Sequence, residues 1–295
     1  MIAPGAFSMS RGMTDAAISK PAPAPIWWRI LRILLWLPVI GYLAAAGYMT
    51  AFQRSFLYKP APAWQAPADS GLANAERFEL KAADGTLLVG WWLPPKRDDK
   101  PVFLYFHGNA NGLARRATRF GYMAQDGSGV LAMSYRGYGG SGGATSEAAI
   151  HADARLILSE LSKRVAPERI VLFGESLGTG VALRLAAEAK VKGVILDSPY
   201  LSVMERARAQ YPWLPVSLLL ADQFRSDQFI KQVDEPIFIF HGTADRVIPV
   251  EDSEKLAVLG RPGQVTRKVY AGEPHVVPLN RGPMPDILAW LAAIP

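Results

Sequence analysis

Ile170-Val171-Leu172-Phe173-Gly174-Glu175-Ser176-Leu177-Gly178, running on through Thr179 and Gly180 into residues 181–190, is the stretch that decides the fold. Four apolar residues make a strand candidate. Beyond Gly178, Val181, Ala182, Leu185, Ala186 and Ala189 fall on one face at helical spacing, and a G-x-S-x-G signature sits at the join. A serine on such a strand-to-helix turn is held in a strained backbone conformation. Side chains two residues to either side would collide there, so glycine suits positions 174 and 178. The plain alternative is a glycine-rich turn with a bystander serine. A second match, Gly139-Gly140-Ser141-Gly142-Gly143, and the dinucleotide-type spacing of Gly137, Gly139 and Gly142 read as a flexible loop. Ala144-Thr145-Ser146 separates them from the next helical segment, whereas phosphate binding needs glycines that open a helix directly.

Working outward, apolar runs at Val102–Phe106, 130–135, 194–196 and 237–240 suit strands buried on both faces of a parallel sheet. Helix-length segments such as 147–163 and 177–190 separate most of them. Before this pattern, residues 77–81 and Leu87–Leu93 flank Asp84-Gly85, a hairpin signal. The expected fold is therefore α/β, an antiparallel start leading into a mostly parallel sheet with helices on both faces, over residues 71–295. An insertion at about 201–233, carrying Tyr211-Pro212-Trp213-Leu214-Pro215 and Leu218-Leu219-Leu220, reads as a small apolar lid; ordinary packing over the sheet is its plainer explanation.

A serine hydroxyl is a weak nucleophile, so it needs a base, and the base needs a third group to orient it. The chain has no cysteine and four histidines, which excludes thiol chemistry and Cys-ligated metals; no two histidines share a zinc-protease spacing. Beyond Ser176 lie only His241 and His275. His241 ends an apparent strand, where packing beside the acid loop is its expected role. His275, after the apparent strand 267–270, completes the order Ser, Asp, His. Asp245, after the strand at 237–240, is the orienting acid, and Asp197 is the runner-up. Two N–H groups are expected to face the oxyanion: Leu177, next to the serine, and Asn109, in the loop His107-Gly108-Asn109-Ala110-Asn111-Gly112. A plain strand-to-helix loop is the alternative for the latter.

The net charge of +6 is concentrated at one end. Arg11, Lys20, Arg29, Arg32, Arg54 and Lys59 face a lone Asp15 within residues 1–60, so the rest of the chain is nearly neutral and offers nucleic acid no basic stripe. Residues 33–52 carry no charge and would span about 30 Å as a helix, a bilayer core. Trp27, Trp28 and Trp36 near one end and Tyr48 and Tyr58 near the other suit lipid interfaces. The reading is a disordered tail at 1–25, a single-pass anchor at 26–53 and a proline-rich linker at 54–70. A cleaved signal peptide is the alternative, because Ala44-Ala45-Ala46 resembles a cleavage site. Basic residues outnumber three to two on the N-terminal side, which places the body on the periplasmic or extracellular side.

Together, Phe106-His107-Gly108-Asn109-Ala110, Tyr135-Arg136-Gly137-Tyr138-Gly139, residues 174–180, Asp197-Ser198-Pro199-Tyr200 and His241-Gly242 through Asp245 to Ile248-Pro249 resemble the α/β-hydrolase fold family. They look like the membrane-associated branch related to bud-emergence and protein-depalmitoylating α/β-hydrolase-domain proteins, often labelled serine-aminopeptidase-like. The resemblance implies an eight-stranded sheet and a triad of Ser176, Asp245 and His275. Two segments depart from it. Ala110-Asn111-Gly112 reorders the usual Asn-Ala-Gly-Asn, and Pro274 with Val276-Val277-Pro278 replaces the usual Gly-His-Asn-Asp context. The expected function is a membrane-anchored serine hydrolase acting on a small-molecule or lipid-like acyl ester, thioester or amide, with no cofactor and no metal. A catalytically silent anchored scaffold is the alternative, and the sequence is silent on oligomeric state.

Overall fold

The computed structural model describes residues 25–61 and 63–294. The expected tail lies outside the described residues except for Pro25. Two compact units part between Tyr48 and Met49. Apart from Pro25, the described part of the first belongs to helix α1 (Ile26–Leu57), none of whose residues is buried. Among the described residues α1 alone is long and apolar enough to cross a membrane.

The second unit is built on one sheet of β1 (Glu76–Lys81), β2 (Leu87–Leu93), β3 (Val102–Phe106), β4 (Gly129–Met133), β5 (Ile170–Glu175), β6 (Gly193–Asp197), β7 (Ile237–Gly242) and β8 (Val265–Tyr270), in the order β1-β2-β4-β3-β5-β6-β7-β8. β2 pairs antiparallel with β1 and β4, and the remaining pairs are parallel. This is the α/β-hydrolase fold.

Alternation along the strands divides the core. Leu104, Leu172, Leu196 and Ile239 pack under α3 (Glu147–Leu161) and α4 (Leu177–Ala186). Phe103, Phe173, Ile195 and Phe238 face the opposite layer, with α2 (Ala117–Met123) and α9 (Pro283–Ala293). Both faces are covered, which is why these strands read as continuous apolar runs. The insertion between β6 and β7 holds three short helices, α5 (Val203–Gln210), α6 (Val216–Leu219) and α7 (Ser226–Phe229); α8 (Val250–Val258) follows β7. Parallel register aligns Phe106 with Gly174 and Glu175 with Asp197, so the loops leaving β3, β5, β6 and β7 converge on one sheet edge.

Two expectations need correction. Residues 54–70 are not a free linker. α1 continues to Leu57, Tyr58 is buried with its hydroxyl donating to Asp222 at 3.0 Å, and Lys59 bridges Ala110. The Ala61 carbonyl accepts from the Gly139 N–H, and Trp64 lies under the Arg77 guanidinium. An extended, proline-rich chain keeps its own backbone groups unpaired, and here neighbouring loops take them up. The glycine-rich loop at 137–143 is likewise tied down: the buried Ser141 hydroxyl accepts from the Val89 N–H at 2.8 Å and donates to the Ser134 carbonyl at 2.9 Å.

Candidate active site

Ser176 joins β5 to α4 at φ 51° and ψ −116°, a conformation most side chains avoid. The two glycines around it have no room for a side chain. A Cβ on Gly178 would lie 2.1 Å from the Phe106 carbonyl oxygen, and one on Gly174 would lie 2.5 Å from the Thr179 Cα. The turn is held by the Ser176 N–H donating to the Asp197 carbonyl at 2.9 Å.

From this turn a line of hydrogen bonds runs through residues far apart in the chain. Ser176 Oγ lies 2.9 Å from His275 Nε2, and His275 Nδ1 lies 2.6 Å from Asp245 Oδ2. That pattern suits an imidazole with its proton on Nδ1, leaving Nε2 to accept from the serine. Asp245 is fully engaged. Its Oδ1 accepts from the N–H groups of Val247 and Ile248 at 2.7 and 2.9 Å, and Oδ2 also accepts from His241 Nε2 at 2.9 Å. Burial would raise its pKa, but the hydrogen bonds from His241, His275 and the Ile248 N–H outweigh it and hold the carboxyl well below the usual range. The fully buried His241 therefore does more than pack beside the acid loop.

Asp197 is not brought to the imidazole by any hydrogen bond. It pairs with Arg119, accepts from the Ser198 hydroxyl at 3.0 Å and from the Val277 N–H at 3.3 Å. Arg119 in turn donates to the Val277 carbonyl at 2.9 Å. Asp197 thus anchors the loop carrying His275, where Val276 has φ 59°, an outlier for a β-branched residue.

The backbone donors flank the serine. Leu177 is the first residue of α4, so its N–H has no intrahelical partner. A Cβ on Gly108 would lie 3.4 Å from the Ser176 Cβ, which puts the His107–Asn109 loop against the serine. The Asn109 carbonyl accepts from the Lys59 N–H and the Tyr138 hydroxyl, at 2.9 and 2.7 Å, and its amide donates to the Leu57 carbonyl at 2.7 Å. Its own N–H has no hydrogen-bond partner among the described residues. In the reordered Ala110-Asn111-Gly112, Asn111 takes a left-handed φ of 65°, which asparagine tolerates.

Sequence reading missed the floor of the site. Glu175, only a spacer in the signature, is buried and accepts from Arg116 Nε at 3.1 Å, from the Gly108 N–H at 3.2 Å and from the Tyr105 hydroxyl. Burial would raise its pKa; attraction and hydrogen bonding from Arg116, then Arg119, hold it at about 2. A charged residue between two glycines after an apolar run was the available signal. The buried His107 is kept neutral, its pKa lowered to about 3 by burial and by Arg116.

Two hollows adjoin this edge. A cleft of about 440 Å³ beside His275 is lined by Asn111, Arg115, Tyr122 and Asn280. An apolar groove of about 300 Å³ lies between residues 49–57 and the insertion, with Leu214, Val216, Leu219, Leu220 and Val247 in its wall. No group of three or more His, Asp or Glu able to hold a metal occurs among the described residues.

The fold is that of an α/β-hydrolase. A family model described as serine aminopeptidase, S33, matches residues 97–227. An uncharacterized protein of Mycobacterium tuberculosis is 36% identical over 228 residues, covering 75% of this chain and 81% of its own. The chain belongs to this serine-aminopeptidase-like family of α/β-hydrolases. Lysophosphatidylserine lipase ABHD12 of Danio rerio is 27% identical over 277 residues, covering 78% of this chain and 72% of its own. Among solved structures, a Pyrococcus furiosus esterase superposes with a TM-score of 0.65 at 21% identity, over 81% of this chain and 98% of its own.

Proposed function

We propose that the chain is a membrane-anchored serine hydrolase that cleaves an acyl ester or thioester, with amides less favoured. Ser176 attacks the acyl carbonyl while His275 Nε2 takes the hydroxyl proton. Asp245 holds the imidazole in the required tautomer and stabilises its charged form. The N–H groups of Leu177 and Asn109 receive the oxyanion. His275 gives its proton to the leaving group, then draws a proton from the water that attacks the acyl-enzyme, and returns that proton to Ser176 Oγ as the acid leaves.

The observation carrying this reading is the unbroken line from Ser176 Oγ to His275 to Asp245, at 2.9 and 2.6 Å, on a strained turn. The apolar groove supports a lipid-like acyl chain, as does the likeness to the lysophosphatidylserine lipase of Danio rerio. The length and apolar character of α1 support a single-pass anchor at about 26–53, and the surplus of nearby basic residues before its uncharged stretch 33–52 supports a body on the periplasmic or extracellular side.

A fluorophosphonate probe tests the mechanism. The folded protein should be labelled, and Ser176→Ala should lose both the label and about 10⁴-fold or more in turnover. A folded, unlabelled wild-type chain would leave the silent scaffold. Protease added to intact spheroplasts tests orientation: a body protected until lysis reverses it.

A further inference from the structure

Residues 211–221 of the insertion carry no charge across eleven positions, and two of their large side chains face outward: Leu218 is 84% exposed and Trp213 49%. Their position is set by the end of α1. Gln53 clasps the segment from both sides, its Nε2 donating to the Leu219 carbonyl at 3.1 Å and its Oε1 accepting from the Ala221 N–H at 2.7 Å. One residue on, Arg54 pairs with the buried carboxylate of Asp222 at 2.9 Å. Gln53 directly follows the stretch 33–52, whose helical length of about 30 Å matches a bilayer core, and Arg54 is the first charge beyond it. The clasp therefore sets the backbone of 219–221 at the level where the helix leaves the hydrocarbon. Tryptophan and leucine at that depth are the side chains an interface accommodates. The groove opens between the same elements, walled by Met49, Gln53 and Phe56 on one side and by Leu214 and Leu219 on the other. It also reaches Val247, two residues from Asp245.

We propose that residues 211–221 form a second lipid contact, docked on the bilayer surface beside the end of α1, so that the groove receives its acyl chain directly from the membrane. The proposal rests on the anchor reading above and names the phase from which the substrate comes. Leu218 and Trp213 lie outside the groove wall, so they serve the docking rather than the chain's pocket.

The absence of cysteine makes the test clean, because an introduced thiol is the only one in the chain. Full-length Leu218→Cys and Trp213→Cys, labelled with an environment-sensitive nitrobenzoxadiazole dye, are reconstituted in phosphatidylcholine–phosphatidylglycerol vesicles containing nitroxide-labelled lipid. The exposed Glu168, just before β5 at the opposite sheet edge, supplies the comparison position as Glu168→Cys. The expected result is quenching at 218 and 213 at least threefold stronger than at 168, with blue-shifted emission at the first two. Equal quenching at the three positions, in protein that floats with the vesicles, overturns the docking and leaves the anchor standing. Protein that fails to float overturns both. As a second readout, Leu218→Asp should lower turnover of a vesicle-embedded long-chain ester about tenfold relative to a soluble short-chain ester; an unchanged ratio counts against the proposal.

Discussion

The two flanks of the sheet edge are held together by opposite means. Beneath Ser176 and His275, buried ion pairs do the work: Glu175 with Arg116, and Asp197 with Arg119, each also bonded to the backbone of a loop beside the serine or the imidazole. Across the edge, residues 211–221 of the insertion are mostly leucine, valine and proline, clasped by Gln53 and followed by Asp222, which Arg54 and Tyr58 hold, and by Gln223 and Phe224, whose N–H groups donate to Glu147. Charged pairs have narrow geometry and fix positions to a fraction of an ångström; apolar walls accept many shapes. On the proposed function, the atoms that transfer protons are set on the first kind of support, and a variable hydrocarbon chain would be received by the second.

This contrast can be broken from its stiff side. Arg116→Met strands a buried carboxylate and should cost about 3–5 kcal/mol, read as a lower urea-unfolding midpoint. Adding Glu175→Gln should recover most of the loss; an unshifted midpoint in the single variant means the pair carries no such burden. Acid should act on the same flank. Because the native pKa of Glu175 is depressed, its stabilisation is present above the unfolded value of about 4.3 and is lost as pH falls towards 2. The loss is of order 3 kcal/mol, and Glu175→Gln should flatten the midpoint against pH between 5 and 3. Asp197→Asn should lower kcat by roughly 10²-fold with little change in KM, because the loop bearing His275 shifts while the groove does not. An altered KM with intact kcat would move Asp197 from positioning to binding. On the compliant side the effect is smallest: Val216→Trp, which fills the groove, should cut the ratio of long-chain to short-chain ester turnover about tenfold, roughly 1.4 kcal/mol. Since no titratable group is altered, that deficit should be the same at pH 6 and pH 8.

Local pattern made one part of this legible. The strand, turn and helix through Ser176 follow from four apolar residues, two glycines and a helical repeat, all within about twenty positions. β3, β4, β6 and β7 are legible for a related reason, since every position in them is buried and their apolar runs are long, whereas the edge strand β8, with Thr266, Arg267 and Lys268 along it, shows no such run. What the sequence concealed depends on partners far along the chain. Arg116 and Glu175 are 59 residues apart, Arg119 and Asp197 78, and Tyr58 and Asp222 164. An arginine in an ordinary helix-forming stretch reads as a solvated face until its carboxylate is known. His241 was seen beside its acid, but its hydrogen bond to Asp245 needed the turn at 245–248 to bring the carboxylate back onto the ring.

The bridge between Lys59 and Ala110 has a consequence for reach. Within five residues of Arg54 the chain is already stitched to the loop beside Ser176, leaving no slack between the end of α1 and the body. An enzyme on a long leash sweeps a volume around its attachment point. On the anchor proposal, a tether this short would keep the site near the bilayer, working a thin shell of solvent at the surface. Its encounter rate would then follow the two-dimensional density of its substrate rather than the bulk concentration.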